Sequence, residues 1–290
     1  MKKVLSAIIS VAIMLTMTLA FAGCGGSSGE EKTNAKTTKV VEIDLTQENY
    51  AFGVDKDQPE LLKRTNDFIK KIKEDGTLES ICEKYYGGGN PEPVTSATLD
   101  DSKEQLVVAT NAAFEPFEYM KGDKYVGIDM EIAKLLADYL ELELVIQNMD
   151  FDAVCLSVGQ HKCDIAMAGL TVNEKRKESV NFTDSYYEAS QRLVVMSDDT
   201  TFDNCKGTEE VEEILNGLDA QTKIGFQNGT TGQFYVQGDA DWGFDGLGVQ
   251  GVGYKNGSLA VQDMINGNLK YVIIDKDPAA FITKTLNAVA

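Results

Sequence analysis

The chain has 290 residues, 43% of them hydrophobic and 25% charged, with a formal net charge of −19. This balance fits a globular protein and excludes a disordered chain or a multi-pass membrane protein, and the acidity excludes unmasked nucleic-acid binding, which needs clustered Lys and Arg. A single histidine, His161, leaves neither a His-rich metal site nor a Ser-His-Asp triad to expect, and no metal or cofactor is expected.

Lys2 and Lys3 open the chain ahead of an almost uncharged apolar run over 4–22, which ends in Phe21, Ala22 and Gly23 before Cys24. This resembles a bacterial lipoprotein signal over 1–23, which implies cleavage before Cys24, a lipid on its sulfur and attachment to the membrane. An uncleaved transmembrane anchor is the alternative, since the run is long enough to span. Either places the domain outside the cytoplasm. Residues 24–39 are small, polar and without periodicity, and read as a flexible tether. Within it, GGSSG at 25–29 matches the hydrolase elbow and 26–33 nearly spells a P-loop. Both lack the strand–turn–helix setting that gives such motifs meaning.

Short strands are expected over 40–43 and 50–54. Asp57 is expected to cap a helix with Pro59 in its first turn and Leu61, Thr65, Phe68, Ile69 and Ile72 on one face, ended by Gly76. A second helix carries Leu78, Ile81, Cys82 and Tyr85 and closes at Gly87. Residues 90–104, with two prolines and several acids, read as a linker. Strands follow over 106–110, 142–146, 165–168 and 191–196, with helices over 128–139 and 151–158 between them. The pattern repeats in kind: strands over 224–226, 249–254 and 271–275, a helix after Thr231, another over 259–265 and a last from Pro278. Alternating strands and helices in two runs imply an α/β protein of two lobes. GLGVQG at 246–251 matches a dinucleotide fingerprint but is followed by a strand, not a helix. Cys155 and Cys163 stand in apolar contexts, which favours buried thiols over a bridge between them.

From TNAAFEPFEY at 110–119 the chain resembles the polar amino-acid solute-binding proteins of bacterial ABC importers (extracellular solute-binding protein family 3). The match runs on through YVGID at 125–129, MDFD at 149–152, AGLTVNEKRK at 168–177, NFTDSYY at 181–187, QNGTT at 227–231 and VIID at 272–275. The resemblance implies a two-lobed periplasmic-binding-protein-like fold, each lobe a mainly parallel sheet flanked by helices, joined by a two-strand hinge. The order departs from the family: the stretch 49–86 stands first here and last there. A circular permutation accounts for it, with a tandem array as the alternative. The resulting division is 40–48 as hinge and second-lobe edge, 49–86 and 106–195 as the first lobe, 87–105 as linker and 196–290 as the second lobe. As a flexible coil that linker spans about 24 Å.

A free amino acid is a zwitterion, and its burial needs a partner for each charge. The resemblance gives the carboxylate to Arg176, whose planar fork can donate two parallel bonds, with backbone N–H groups of Thr230 and Thr231 beside it. It gives the ammonium to Asp275, with the Thr171 hydroxyl and Ala168 carbonyl as further acceptors and Gly169 allowing close approach. Phe114 and Phe151 are expected as apolar walls. Asn111, Gln227 and Ile274 stand where more polar residues often read the side chain, and favour a neutral polar or small guest. Trp242 is expected to pack in the second lobe and His161 to lie in an exposed turn.

The reading is thus a monomeric, lipid-anchored, extracytoplasmic receptor that binds an amino acid by hinge closure and delivers it to an ABC permease and its ATPase. A dehydratase-like enzyme of the same fold and a ligand-sensing module are the alternatives. Against the enzyme stands the lack of a catalytic His, a metal cluster or an unpaired acid over the site.

Overall fold

The computed structural model describes residues 36–290; the signal segment, Cys24 and nearly all of the tether lie outside them. The chain opens with β1 (Thr38–Val40), β2 (Glu48–Tyr50) and β3 (Gly53–Asp55), then α1 (Pro59–Glu74) and α2 (Thr77–Tyr86). Next come β4 (Gln105–Thr110), β5 (Ala113–Phe114), β6 (Glu118–Lys121) and β7 (Lys124–Val126). They are followed by α3 (Ile128–Leu140), β8 (Glu143–Asn148), α4 (Phe151–Gly159), β9 (Ile165–Ala166) and α5 (Glu174–Lys177). Strands β10 (Val180–Phe182), β11 (Tyr187–Ala189) and β12 (Gln191–Met196) precede α6 (Thr208–Asn216), β13 (Lys223–Gln227) and α7 (Thr231–Gln237). The last elements are β14 (Gln250–Tyr254), α8 (Gly257–Ile265), β15 (Tyr271–Asp275) and α9 (Lys276–Asn287).

Two five-stranded sheets form, in the orders β10-β3-β9-β4-β8 and β1-β12-β15-β13-β14. In the first, β9, β4 and β8 are parallel and β3 is antiparallel to both its neighbours, so one strand opposes the other four. In the second, β12 holds the same place and is likewise reversed. Both faces of each sheet are covered, which is why the central strands are continuous apolar runs. Leu106 and Val108 of β4 face one core with Ile128, Ile132 and Leu136 of α3. Val107 and Ala109 face another with Val154 and Val158 of α4. Residues of β15 divide the same way, Tyr271 and Ile273 to one side, Val272 and Ile274 to the other.

The chain crosses between the sheets twice, and the crossings pair as the antiparallel β2–β11 ribbon, Tyr50 opposite Tyr187 and Glu48 opposite Ala189. Strand β12 belongs to the second sheet, so the first lobe ends near residue 190 and not at 195. A buried apolar strand reads alike whichever sheet it joins. The segment 87–105 is irregular but packed: Val94 bridges to Tyr125, and the Ala97 N–H donates to the Leu144 carbonyl. It is therefore a strap along the first lobe, not a free coil. Asp57 does not cap α1, whose N-cap is Gln58 without a side-chain bond. The described ends meet in the second lobe, where Asn287 brackets the Thr38 backbone through its amide.

Candidate functional site

Strands β4, β9, β13 and β15 end facing the gap between the lobes, and the carboxyl ends of parallel strands are where open α/β sheets place their ligands. The side chains expected to act lie along this cleft. Arg176 stands in α5, whose start is fixed by the Asn173 side chain accepting from the Arg176 N–H. Its guanidinium donates to the Thr171 carbonyl at 2.7 Å in its own lobe and to the Gly229 carbonyl at 2.9 Å in the other. It also lies between two rings, 5.2 Å from the centroid of Phe151 and 5.6 Å from that of Trp242. Beside it is a cavity of about 260 Å³ lined by Phe151, Leu170, Arg176, Gly229, Phe234 and Trp242, contributed by both lobes. A larger hollow on the outer first lobe, around Lys84 and Glu131, holds none of these groups.

Asp275 is the last residue of β15 and the N-cap of α9, yet its side chain makes no cap bond. It turns into the cleft, where its carboxylate accepts from the Tyr50 hydroxyl of the crossing strand. Burial pushes its carboxyl up to about 7, the charge of nearby Glu48 adds to that, and the bonds from Tyr50 and Gln191 oppose it. Glu48 accepts from Thr171 Oγ1 and Thr231 Oγ1 at 2.6 Å each, one threonine from each lobe. Gly169 has φ +53°, and a Cβ there would sit 2.9 Å from Phe114. Only glycine lets the backbone pass so close to this ring.

Asn111 and Gln227 meet across the cleft, with Gln227 Nε2 donating to Asn111 Oδ1 at 3.1 Å. The Asn111 amide also donates to the Met149 carbonyl at 2.6 Å. The Ala168 side chain is buried in the first-lobe core. Thr230 does not turn its hydroxyl outward; it donates to the Gln227 carbonyl at 2.8 Å. Ile274 packs in the second-lobe core with Ala260 and Ile282 and does not reach a guest.

Glu118 was missed as a site residue although it stands inside the FEPFEY run. It is fully buried, and neither carboxylate oxygen has a hydrogen-bond partner among the described residues. Burial raises its carboxyl well above the usual range, and the charges of Asp129 and Asp275 add to this. Asp129 is raised to about 7 by burial, opposed by bonds from the Tyr186 hydroxyl and the Gly169 N–H. An unpaired acid therefore does stand near the cleft, which corrects the argument made against an enzyme. Glu48 was missed because a glutamate in the acidic, polar run 42–48 reads as solvated. The burial alternation of β2, with Glu48 and Tyr50 inward, was the available signal. Trp242 does pack in the second lobe, stacking on Phe234, but also faces Arg176.

Outside the cleft, His161 lies in a left-handed turn and its Nδ1 is 2.7 Å from buried Asp55, with Asp57 nearby. All four cysteines among the described residues are free thiols. No helix among those residues is long and apolar enough to cross a membrane.

The family model of the bacterial extracellular solute-binding proteins, family 3, matches residues 106–284. The arginine-binding extracellular protein ArtP of Bacillus subtilis (strain 168) is 36% identical over 99 residues, 34% of this chain and 39% of ArtP. ABC transporter arginine-binding protein 1 of Escherichia coli (strain K12) is 30% identical over 175 residues, 59% of this chain and 63% of that protein. The matches thus take in less than two thirds of either relative. An ancestral arginine-binding protein bound to arginine superposes with a TM-score of 0.53 at 32% identity, covering 64% of this chain and 76% of its own. The ancestral amino-acid-binding protein AncCDT-1, a precursor of cyclohexadienyl dehydratase, gives 0.53 at 25% identity, covering 72% and 78%.

Proposed function

Because the chain belongs to the bacterial extracellular solute-binding proteins of family 3, we propose that it is an extracytoplasmic receptor that closes two lobes round a free amino acid and delivers it to an ABC import permease. One observation carries this reading. A guanidinium and a carboxylate, Arg176 from the first lobe and Asp275 from the second, flank the same cleft between the sheets. Arg176 still has N–H donors beyond the two it spends on carbonyls, and these suit a carboxylate. Asp275 suits the ammonium. A guest held by both lobes stabilises closure by its differential affinity for the closed form.

The side chain it accepts is cationic. Glu118, Asp129, Asp275 and Glu48 are four buried carboxyl groups set against one half-buried cation, Arg176. Among the orphaned buried atoms, both oxygens of Glu118 and the side-chain oxygens of Gln191 and Gln227 only accept, beside the hydroxyls of Thr110 and Ser190. A guest rich in N–H donors satisfies such a set. The names of the relatives as arginine-binding agree with this; of the three residues that favoured a small or neutral guest, Ile274 packs in the second-lobe core, and Asn111 and Gln227 bond to each other. Phe114 and Phe151 serve as walls.

The rest of the proposal concerns attachment and order. Cys24 carries a lipid that attaches the monomeric domain to the membrane, the tether expected over 24–39 gives way to β1 at Thr38, and 49–86 is the permuted half of the first lobe. The place of β3 between β9 and β10 and the meeting of Thr38 with Asn287 support that order. Glu118, an unpaired buried acid, favours a second reading as a proton donor of a dehydratase-like enzyme. A thermal-shift screen of the domain with the common amino acids, followed by mass spectrometry of the ligand, tests both. A raised Tm with ligand recovered intact supports the receptor. At a hundredfold excess over Kd the stabilisation is about 2.7 kcal/mol. Consumption of the ligand favours the enzyme, and no shift with any amino acid contradicts the proposal.

A further inference from the structure

Glu48 sits on β2, where the chain crosses between the lobes, and no motif marks it. Its carboxylate is surrounded by donors: Thr46 Oγ1 at 2.5 Å, Gln191 Nε2 at 3.0 Å, and the hydroxyls of Thr171 and Thr231 at 2.6 Å each. The last two come from opposite lobes, and their oxygens lie 3.4 Å apart. A hydroxyl carries one hydrogen and two lone pairs, and an ionised carboxylate only accepts. Each threonine therefore spends its hydrogen on Glu48 and keeps lone pairs alone for anything else. Thr171 and Thr231 thus present acceptors to the cleft, on the side where Asp275 also lies.

We propose that Glu48 is a positioning residue of the ammonium subsite: by holding both hydroxyl hydrogens it turns Thr171 and Thr231 into a pair of acceptors, one per lobe, that select a guest bearing a protonated amine. The inference rests on the amino-acid reading above and adds to it the residue that sets the polarity of the site. Both hydroxyls donate to the same oxygen, Oε2; Glu48→Met keeps the length but offers no acceptor, so both threonine hydrogens are released and can turn into the cleft.

The test is calorimetric titration with amino acids and their des-amino analogues: L-arginine against 5-guanidinopentanoate, L-lysine against 6-aminohexanoate, and L-glutamine against 5-amino-5-oxopentanoate. The preference of the unaltered protein for the amino acid over its analogue is expected to fall about tenfold or more in Glu48→Met, in line with a lost charge-assisted bond. Affinity for the analogue should stay within about threefold, since it has no α-ammonium to place in this subsite. Equal losses for both partners of a pair, as from a weakened crossing, would overturn the proposal, as would an unchanged preference. Should Glu48→Met fail to fold, Thr231→Val, which removes one acceptor, decides alone: a reduced preference supports the proposal and an unchanged one overturns it. Binding of none of the three amino acids by the unaltered protein would remove the amino-acid reading, and this inference with it.

Discussion

Arg176 of the first lobe donates through Nη2 to the backbone carbonyl of Gly229 in the second, at 2.9 Å. This bond lies in the same cleft as the Tyr50–Asp275 pair, and together they tie the lobes through the groups proposed to meet a zwitterion. A guest that enters must be paired as well as the groups it meets, because a buried charge without a partner is costly.

Glu118→Gln tests the charge of the guest. The substitution keeps the shape, removes an unpartnered buried carboxyl, and leaves an amide that can both accept and donate. Affinity for arginine or lysine is expected to fall about tenfold to a hundredfold, as when a charged hydrogen bond is lost. Affinity for glutamine should hold or improve, and Tm without ligand should not drop. Titration calorimetry and thermal melts check both.

The pH dependence follows from Asp275 and Asp129, each raised by burial from 3.8 to about 7. Between those values the folded protein holds protons that the unfolded chain has released. Stability without ligand is therefore greatest below the unfolded value and declines as pH rises through the folded one. Tm is expected to be higher at pH 5 than at pH 8. Ligand affinity should run the other way, since an ammonium needs Asp275 ionised. Melts and titrations across that range give the two opposite slopes.

Gly169→Ala should damage fold and site together. The residue has φ +53°, and the added Cβ would stand 2.9 Å from Phe114 Cε1 and 3.4 Å from Tyr50 Cε2. The loss is expected to be about 1–3 kcal/mol, the range for strain and overpacking. Urea denaturation measures it, and weaker ligand binding should accompany it.

The proposed permutation predicts that the strap is dispensable as a covalent link. A protease site placed at the exposed turn of Asp100, Asp101 and Ser102 should be cleavable in the folded protein. The pieces should stay together, because β3 lies inside the first sheet and β1 edges the second. Gel filtration after cleavage should show one species that still binds ligand.

Much of this architecture was legible in the residues. Runs such as Leu106 to Thr110 are apolar because helices cover both faces of the sheet, and the 3.6-residue spacing in α1 and α3 is strong enough to survive without tertiary context. The β5–β7 sheet was not legible. Its strands have two to four residues, and its inward residue Glu118 is an acid where the pattern calls for an apolar side chain. The strand over 191–196 was recognised but given to the first lobe, since hydrophobicity does not say which sheet a strand joins. In the cleft, Arg176, Asp275, Phe151 and Thr171 were found through the motif. Glu48 escaped because three of its four partners, Thr171, Gln191 and Thr231, are more than a hundred residues away in sequence.

The most direct test of a cleft that neutralises both ends of a small zwitterion is calorimetric titration of the unaltered domain, Arg176→Ala and Asp275→Asn with the amino acid that gives the largest thermal shift. Each variant is expected to weaken binding by about 2–5 kcal/mol, at least about thirtyfold in Kd, as when one member of a buried ionic contact is removed. Undiminished affinity in either variant, with the fold intact, would contradict the account.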